Sequence, residues 1–250
     1  MVDTHAHVEM CEDAPSEVVA RAREVGVDRI LSIGLTGETF AQTLAIADEH
    51  EEVFAAVGWH PNETTGFGDE QIGLIEQAAA HPRVRAIGET GLDFFRDSAP
   101  PDDQRRAFIA QIAIATERNL PVSIHARAAE SECIDILIEH GSGLPAVVLH
   151  CFGDAGQLDR AVDAGFYCSF AGNVTFKNAP DLREAAARVP DELLLVETDS
   201  PFLAPQPVRG KRCEPAYVTM TAETIAEVRG IGYGELDDIV SDNARRVFKW

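Results

Sequence analysis

The sequence predicts one α/β domain over residues 1–250, a (β/α)8 barrel, and three observations predict it. Short β-rich runs alternate with amphipathic stretches along almost the whole chain, the pattern of βα units around a parallel sheet. At 250 residues and 45% hydrophobic, the chain has the usual length of one such barrel and can bury a large core. Six residues able to bind divalent metal, His5, His7, Glu89, His125, His150 and Asp199, stand where strands would end. Strand ends on one face of a barrel converge in space from distant sequence, as a metal site requires.

The expected strands are Val2–Val8, Arg29–Gly34, Val53–Gly58, Val84–Glu89, Pro121–His125, Ala146–His150, Phe166–Phe170 and Leu193–Thr198. Between them, apolar residues at three- and four-residue spacing predict helices over Ser16–Val25, Glu38–Glu49, Asp69–Ala80, Asp103–Arg118, Glu130–Glu139, Ala155–Ala164 and Asp181–Arg188. After the eighth strand comes a Pro-rich, basic loop, SPFLAPQPVRGKRCEPAY, and then two final helices near Pro215–Arg229 and Tyr233–Phe248. That loop is expected either to overhang the strand-end face or to be a passive connection. No repeat, low-complexity segment or linker divides the chain.

The 42 acidic residues outnumber 21 basic ones, a net charge of −21, and lysine occurs only at 177, 211 and 249. Such a chain repels anionic membranes and nucleic acid at low salt, and it suits an interior where salt screens self-repulsion. Five cysteines with no CxxC pair exclude a disulfide framework and a thiolate zinc site. With no basic segment followed by an apolar run and no stretch long enough to cross a bilayer, the expectation is a cytoplasmic protein, most simply a monomer, without a membrane partner.

In Asp3-Thr4-His5-Ala6-His7, residues two apart on a strand point the same way, so both imidazoles can grip one cation. Taken alone, the pair reads equally well as polar residues in a turn. Glu89, after the apolar run Ala86-Ile87-Gly88, is costly to bury unless paired or bound to metal, and one carboxylate can bridge two cations. An ion pair with Arg85, Arg96 or Arg127 is its alternative. Asp93 and Arg96 are assigned to the loop above the site.

His125 and His150 each follow four mostly aliphatic residues at the mouths of consecutive strands. Singly each reads as a hydrogen-bonded structural histidine; together they can complete a second metal site with Glu89. Glu197 and Asp199 are two apart and expected to point inward together, one ligating metal while the other orients ligands or water. A capped turn before Pro201 explains Asp199 alone. His60, in Gly58-Trp59-His60-Pro61, is expected to meet a substrate phosphate or leaving group, or else to pack on Pro61. Arg209, Lys211 and Arg212 either neutralise phosphates or solvate the surface.

The strings DTHAH, GWHP, GETGLDFFR, PVSIHAR, VLHCF, ETDSPFLAP and GKRCEPAYV, in order from residue 3 to 218, resemble the TatD family of metal-dependent deoxyribonucleases. The resemblance implies a TIM-like barrel of the metallo-dependent hydrolase superfamily, two divalent metal ions, and hydrolysis of DNA phosphodiesters, as an exonuclease on single-stranded or frayed ends. Carried over by position, His5, His7 and Asp199 hold one metal, His125 and His150 the other, and Glu89 bridges them. Glu197 orients ligands, and Asp199 accepts the proton of the attacking water. His60, Arg96, Arg127, Arg209 and Lys211 become substrate contacts. Two departures stand out: Ala6 where cysteine is common, and Cys213 where asparagine is expected. Histidine-rich, oxygen-supplemented ligands suit Zn²⁺, Mn²⁺ or Fe²⁺ better than Mg²⁺.

Superfamily members acting on amides or lactones often bridge their metals with a carbamylated lysine, but no lysine precedes residue 177 here. A two-metal water can also attack an acyl ester, such as a D-aminoacyl-tRNA. A non-catalytic metal-binding interaction protein is the reading from another class, and two inward carboxylates argue against it because binding needs no activated water.

Overall fold

The computed structural model describes residues 1–96 and 98–250. Eight strands form one parallel sheet in sequence order: β1 Val2–Ala6, β2 Arg29–Gly34, β3 Val53–Val57, β4 Val84–Asp93, β5 Val122–Arg127, β6 Val147–Leu149, β7 Tyr167–Phe170 and β8 Leu194–Val196. The two edges meet and nearly close the barrel. Ala6 bridges Ser200, the His7 N–H donates to the Ser200 carbonyl (2.7 Å), and the Asp199 N–H donates to the His5 carbonyl (2.9 Å).

Helices α1 Pro15–Glu24, α2 Gly37–Glu49, α3 Asp69–Ala79, α4 Pro101–Arg118, α5 Glu130–His140, α6 Leu158–Asp163, α7 Pro180–Arg188, α8 Val218–Arg229 and α9 Tyr233–Phe248 follow their strands. Local chemistry sets their ends. Proline opens α1, α4 and α7, where its missing N–H costs nothing, and left-handed Asn119 and Gly230 close α4 and α8. β1 and β3 are buried at every position, as strands covered by helices outside and side chains inside must be.

Several expected boundaries move. β4 continues four residues past Glu89 to Asp93, so Glu89 sits inside a strand instead of closing it. The extension needs Gly91, which pairs with His125: φ is +139°, and a Cβ there would lie 2.0 Å from the His125 carbonyl oxygen. β1 stops one residue before His7, β6 ends before His150, and β8 ends before Glu197, which puts these groups on the turns. The helices expected over 155–164 and 215–229 each begin with a 3-10 turn, Ala155–Gln157 and Pro215–Tyr217. The final loop is held over the β1 end by the Arg21–Glu214 ion pair (2.5 Å) and by Arg212 donating to the Met10 carbonyl (3.0 Å). Cys213 is buried in it, and its N–H donates to the Pro201 carbonyl (3.0 Å).

Candidate metal centre

Glu89 projects from β4 into the mouth of the barrel, and its two oxygens face different partners. Oε2 lies 3.4 Å from His5 Nε2 and 3.7 Å from His7 Nε2. Oε1 lies 2.5 Å from His125 Nδ1 and 2.8 Å from His150 Nε2. Asp199 closes the first side, with Oδ1 3.6 Å from His7 Nε2 and 3.9 Å from His5 Nε2. The fold thus brings all six expected residues together. Three overlapping groups have donor atoms within 4.8 Å of one another: His5, His7 and Asp199; His5, Glu89 and His150; His60, Glu89 and His125.

The period-two expectation for Glu197 and Asp199 fails in its reason, because both follow the last strand residue. Asp199 has φ +53° and turns toward His5 and His7, whereas Glu197 reaches under β6, where Oε1 accepts from the Cys151 N–H (2.7 Å) and meets His150 Nδ1 (3.2 Å). The side chains of Arg96, Arg127, Arg209 and Lys211 are exposed, and no described hydrogen bond joins them to the six.

The far side of each ring fixes what its near side offers. His7 Nδ1 lies 3.1 Å from the Ile33 carbonyl, which can only accept, so Nδ1 carries a proton and Nε2 is the nitrogen that faces inward. His150 Nδ1 is held by Glu197, and His125 Nε2 by Asp93 Oδ2 (3.2 Å), the carboxylate–histidine arrangement that orients metal-ligating imidazoles. His5 Nδ1 meets Ser123 Oγ (3.3 Å), leaving the buried Nε2 with no hydrogen-bond partner and aimed into the cluster.

His60 is built the other way. Its Nδ1 accepts from the Asn62 N–H (3.1 Å), so in the neutral ring the proton sits on Nε2, 3.6 Å from Glu89 Oε1. Burial pushes its proton affinity down to about 4 and keeps that ring neutral near pH 7. His60 therefore presents a donor, not a ligand lone pair.

Burial opposes charge on Glu89, yet His150, His60 and His125 together hold its carboxyl well below the usual range. Burial likewise opposes charge on Asp199, and the His7 hydrogen bond with nearby His150 and His5 holds it low. His7, against its own burial, is lifted to about 9 by Asp199 and Glu89, while burial and His150 lower His5. Without a cation, protons on imidazoles are what offset these buried carboxylates. The orphaned His5 Nε2, the inward Nε2 of His7, which sheds its proton when it ligates a cation, and the split face of Glu89 fit divalent metal ions.

Three supporting residues, Gln104, Gln111 and Asp3, escaped the sequence reading, and a fourth, Asp93, was expected in the loop above the site. Asp93 is fully buried at the end of β4, not in the loop above, and besides His125 it accepts from Asn62 Nδ2 (3.1 Å). Gln104 of α4 clamps both its backbone N–H (2.8 Å) and its carbonyl (3.1 Å). Gln111, two helical turns on, accepts from the Trp59 N–H (2.6 Å) and donates to Thr90 Oγ1 (2.7 Å), tying the β3 and β4 ends together. Asp3, raised by burial to about 8, accepts from the Thr198 N–H (2.9 Å) and hydroxyl (2.6 Å), which locks the β8 turn onto β1. Alternation past Glu89, through Gly91 to Asp93 on one strand face, was the available signal for Asp93.

The family model for TatD-related DNases matches residues 2–249. The chain belongs to the TatD-related DNase family. A metal-dependent hydrolase of Bacillus subtilis, YabD, uncharacterized in function, is 40% identical over 100% of this chain and 99% of its own length. The 3'-5' ssDNA/RNA exonuclease TatD of Dickeya dadantii is 38% identical over 93% and 91%. The crystal structure of the TatD homolog YJJV from Escherichia coli K12 superposes with a TM-score of 0.94 at 28% identity, covering 100% of this chain and 98% of that one. This TatD-family chain is a metal-dependent hydrolase.

Proposed function

We propose that the chain hydrolyses phosphodiester bonds at the ends of single-stranded or frayed DNA, as an exonuclease, with two divalent cations. One observation carries this reading: the oxygens of Glu89 face His5 and His7 on one side and His125 and His150 on the other. His5, His7 and Asp199 would hold one ion and His125 and His150 the second, with Glu89 between. Ions bound there supply positive charge that lowers the proton affinity of water and offsets charge on phosphate oxygens.

The protein's own groups do the rest. Asp199, kept ionised by its histidines, accepts the proton of the attacking water at its carboxylate. The Nε2–H of neutral His60 donates to a phosphate or leaving oxygen beside Glu89. Glu197 and Asp93 fix the rings of His150 and His125. The exonuclease name of the Dickeya dadantii relative supports a single-stranded substrate. Five free cysteines fit the reducing cytoplasm.

The test is to strip metal with chelator, restore Mg²⁺, Mn²⁺, Co²⁺ or Zn²⁺ separately, and assay end-labelled single-stranded DNA beside a mischarged tRNA. DNA cleavage returning with Mn²⁺ or Zn²⁺ supports the proposal. Deacylation of the tRNA without DNA cleavage would move the site to ester chemistry. Glu89→Ala is expected to lose roughly a thousandfold in turnover, the equivalent of several kcal/mol of charge stabilisation. A folded, fully active Glu89→Ala protein refutes the bridging role.

A further inference from the structure

Among the described residues, two aromatic side chains are exposed to a large degree, Phe95 at 66% and Phe202 at 44%, and both sit on the strand-end face beside the metal-ligating cluster. The Phe95 N–H donates to Asp93 Oδ1 (3.0 Å), the carboxylate whose other oxygen holds His125. The Phe202 N–H donates to the Asp199 carbonyl (2.8 Å), and its ring meets the His7 ring edge-on at 6.1 Å. With eight strands in sequence order and β8 meeting β1, the β4/β5 edge of the mouth lies across the barrel from the β8/β1 edge. The two phenylalanines therefore flank the cluster from opposite sides.

Neither ring is needed to fill the core, and exposing an apolar ring of this size forgoes about 25 cal/mol for each Å² left in water. Phe95 has a cation on it: the Arg127 guanidinium carbon is 4.0 Å from its ring centroid. Arg209 of the final loop lies in the same way over Phe176, 4.1 Å from that centroid. Aromatic faces with guanidinium groups at the edge of a phosphate-cleaving site match one ligand chemistry: unpaired bases, each with a π-face, joined by an anionic backbone. In a duplex those faces are covered by neighbouring bases.

We propose that Phe95, backed by Arg127, and Phe202 are base-stacking positions on either side of the scissile phosphate. They select a strand with unpaired bases at the cut and are indifferent to base identity. This rests on the phosphodiesterase reading above, since the strand must run over Glu89.

The experiment is a cycle between side chain and base. The holoenzyme, Phe95→Ala and Phe202→Ala, each checked for fold and metal content, would cut a short single strand and the same strand with abasic sites flanking the cleaved bond. For the wild type, kcat/KM should favour the intact strand by roughly five- to a hundredfold per stacked base, the effect of about 1–3 kcal/mol of stacking. In each alanine variant that preference should shrink toward one, mainly through KM, and Phe95→Trp or Phe202→Tyr should keep it. A 2-aminopurine at the stacked position should lose emission on binding wild-type protein and less on binding the alanine variants. A preference for intact over abasic strand that survives both alanine substitutions overturns the proposal. A wild type that cuts no phosphodiester with any metal instead overturns the phosphodiesterase reading, so the two failures are distinct.

Discussion

Glu197 is fully buried, and only its Oε1 has partners, the Cys151 N–H and His150 Nδ1; Oε2 has none. Glu197→Gln keeps the shape but replaces a carboxyl acceptor with an amide, which weakens the hold on the Nδ1–H of His150. Residues in such a position typically affect metal affinity or activity by about 10–100-fold. The midpoint of a metal titration, followed by restored activity and by calorimetry, should rise within that range while the circular dichroism spectrum stays unchanged. An unchanged midpoint would remove Glu197 from the site. His60 carries the same lesson at atomic detail: its place near the ligands was legible, whereas which nitrogen faces inward depended on the Asn62 N–H, two residues on in a 3-10 turn.

At the scale of elements, strand β4 carries the site, because it sets both Glu89 and Asp93 and at Gly91 lies directly against the β5 backbone. Gly91→Ala would thrust a Cβ to 2.0 Å from the His125 carbonyl oxygen, and no flexible side chain is there to move aside. Gly26 also has positive φ, +88°, but nothing lies within 4 Å of its Cβ position. Strain alone makes Gly26→Ala cost about 1 kcal/mol, whereas Gly91→Ala should cost about 3 kcal/mol or more. Urea unfolding of the two variants measures the difference, and equal losses would mean that β4 does not crowd β5. Alternation and β-propensity located the eight strands to within a few residues. The true ends differed where side chains and turns, not propensity, stopped the ladder: His7, His150 and Glu197 lie just beyond their strands.

For the whole molecule, a net charge of −21 meets a proposed polyanionic substrate. The reach of repulsion between exposed charges is about 8 Å at physiological ionic strength and about 3 Å in molar salt, so long-range repulsion of DNA fades while contacts inside the site persist. Cleavage of single-stranded DNA should hold or rise between low and molar salt, and the thermal midpoint should rise with it as self-repulsion is screened. Initial rates and melting curves across that range test both. A steady fall in rate with the fold intact would mean that cationic rim contacts, not the charge of the body, govern association.

The sequence by itself determined the number of the strands, their order along the chain and the six metal-capable groups in or just after them, since each follows from local periodicity and residue type. Tertiary structure decided how those groups divide: the split face of Glu89, the turn that separates Asp199 from Glu197, Asp93 behind His125, Asp3 locking β8 to β1, and the two phenylalanines across the mouth. These depend on closure of the barrel, which joins residues up to 195 positions apart through Thr198 and Asp3, and no local pattern encodes a contact made only when the first strand meets the last.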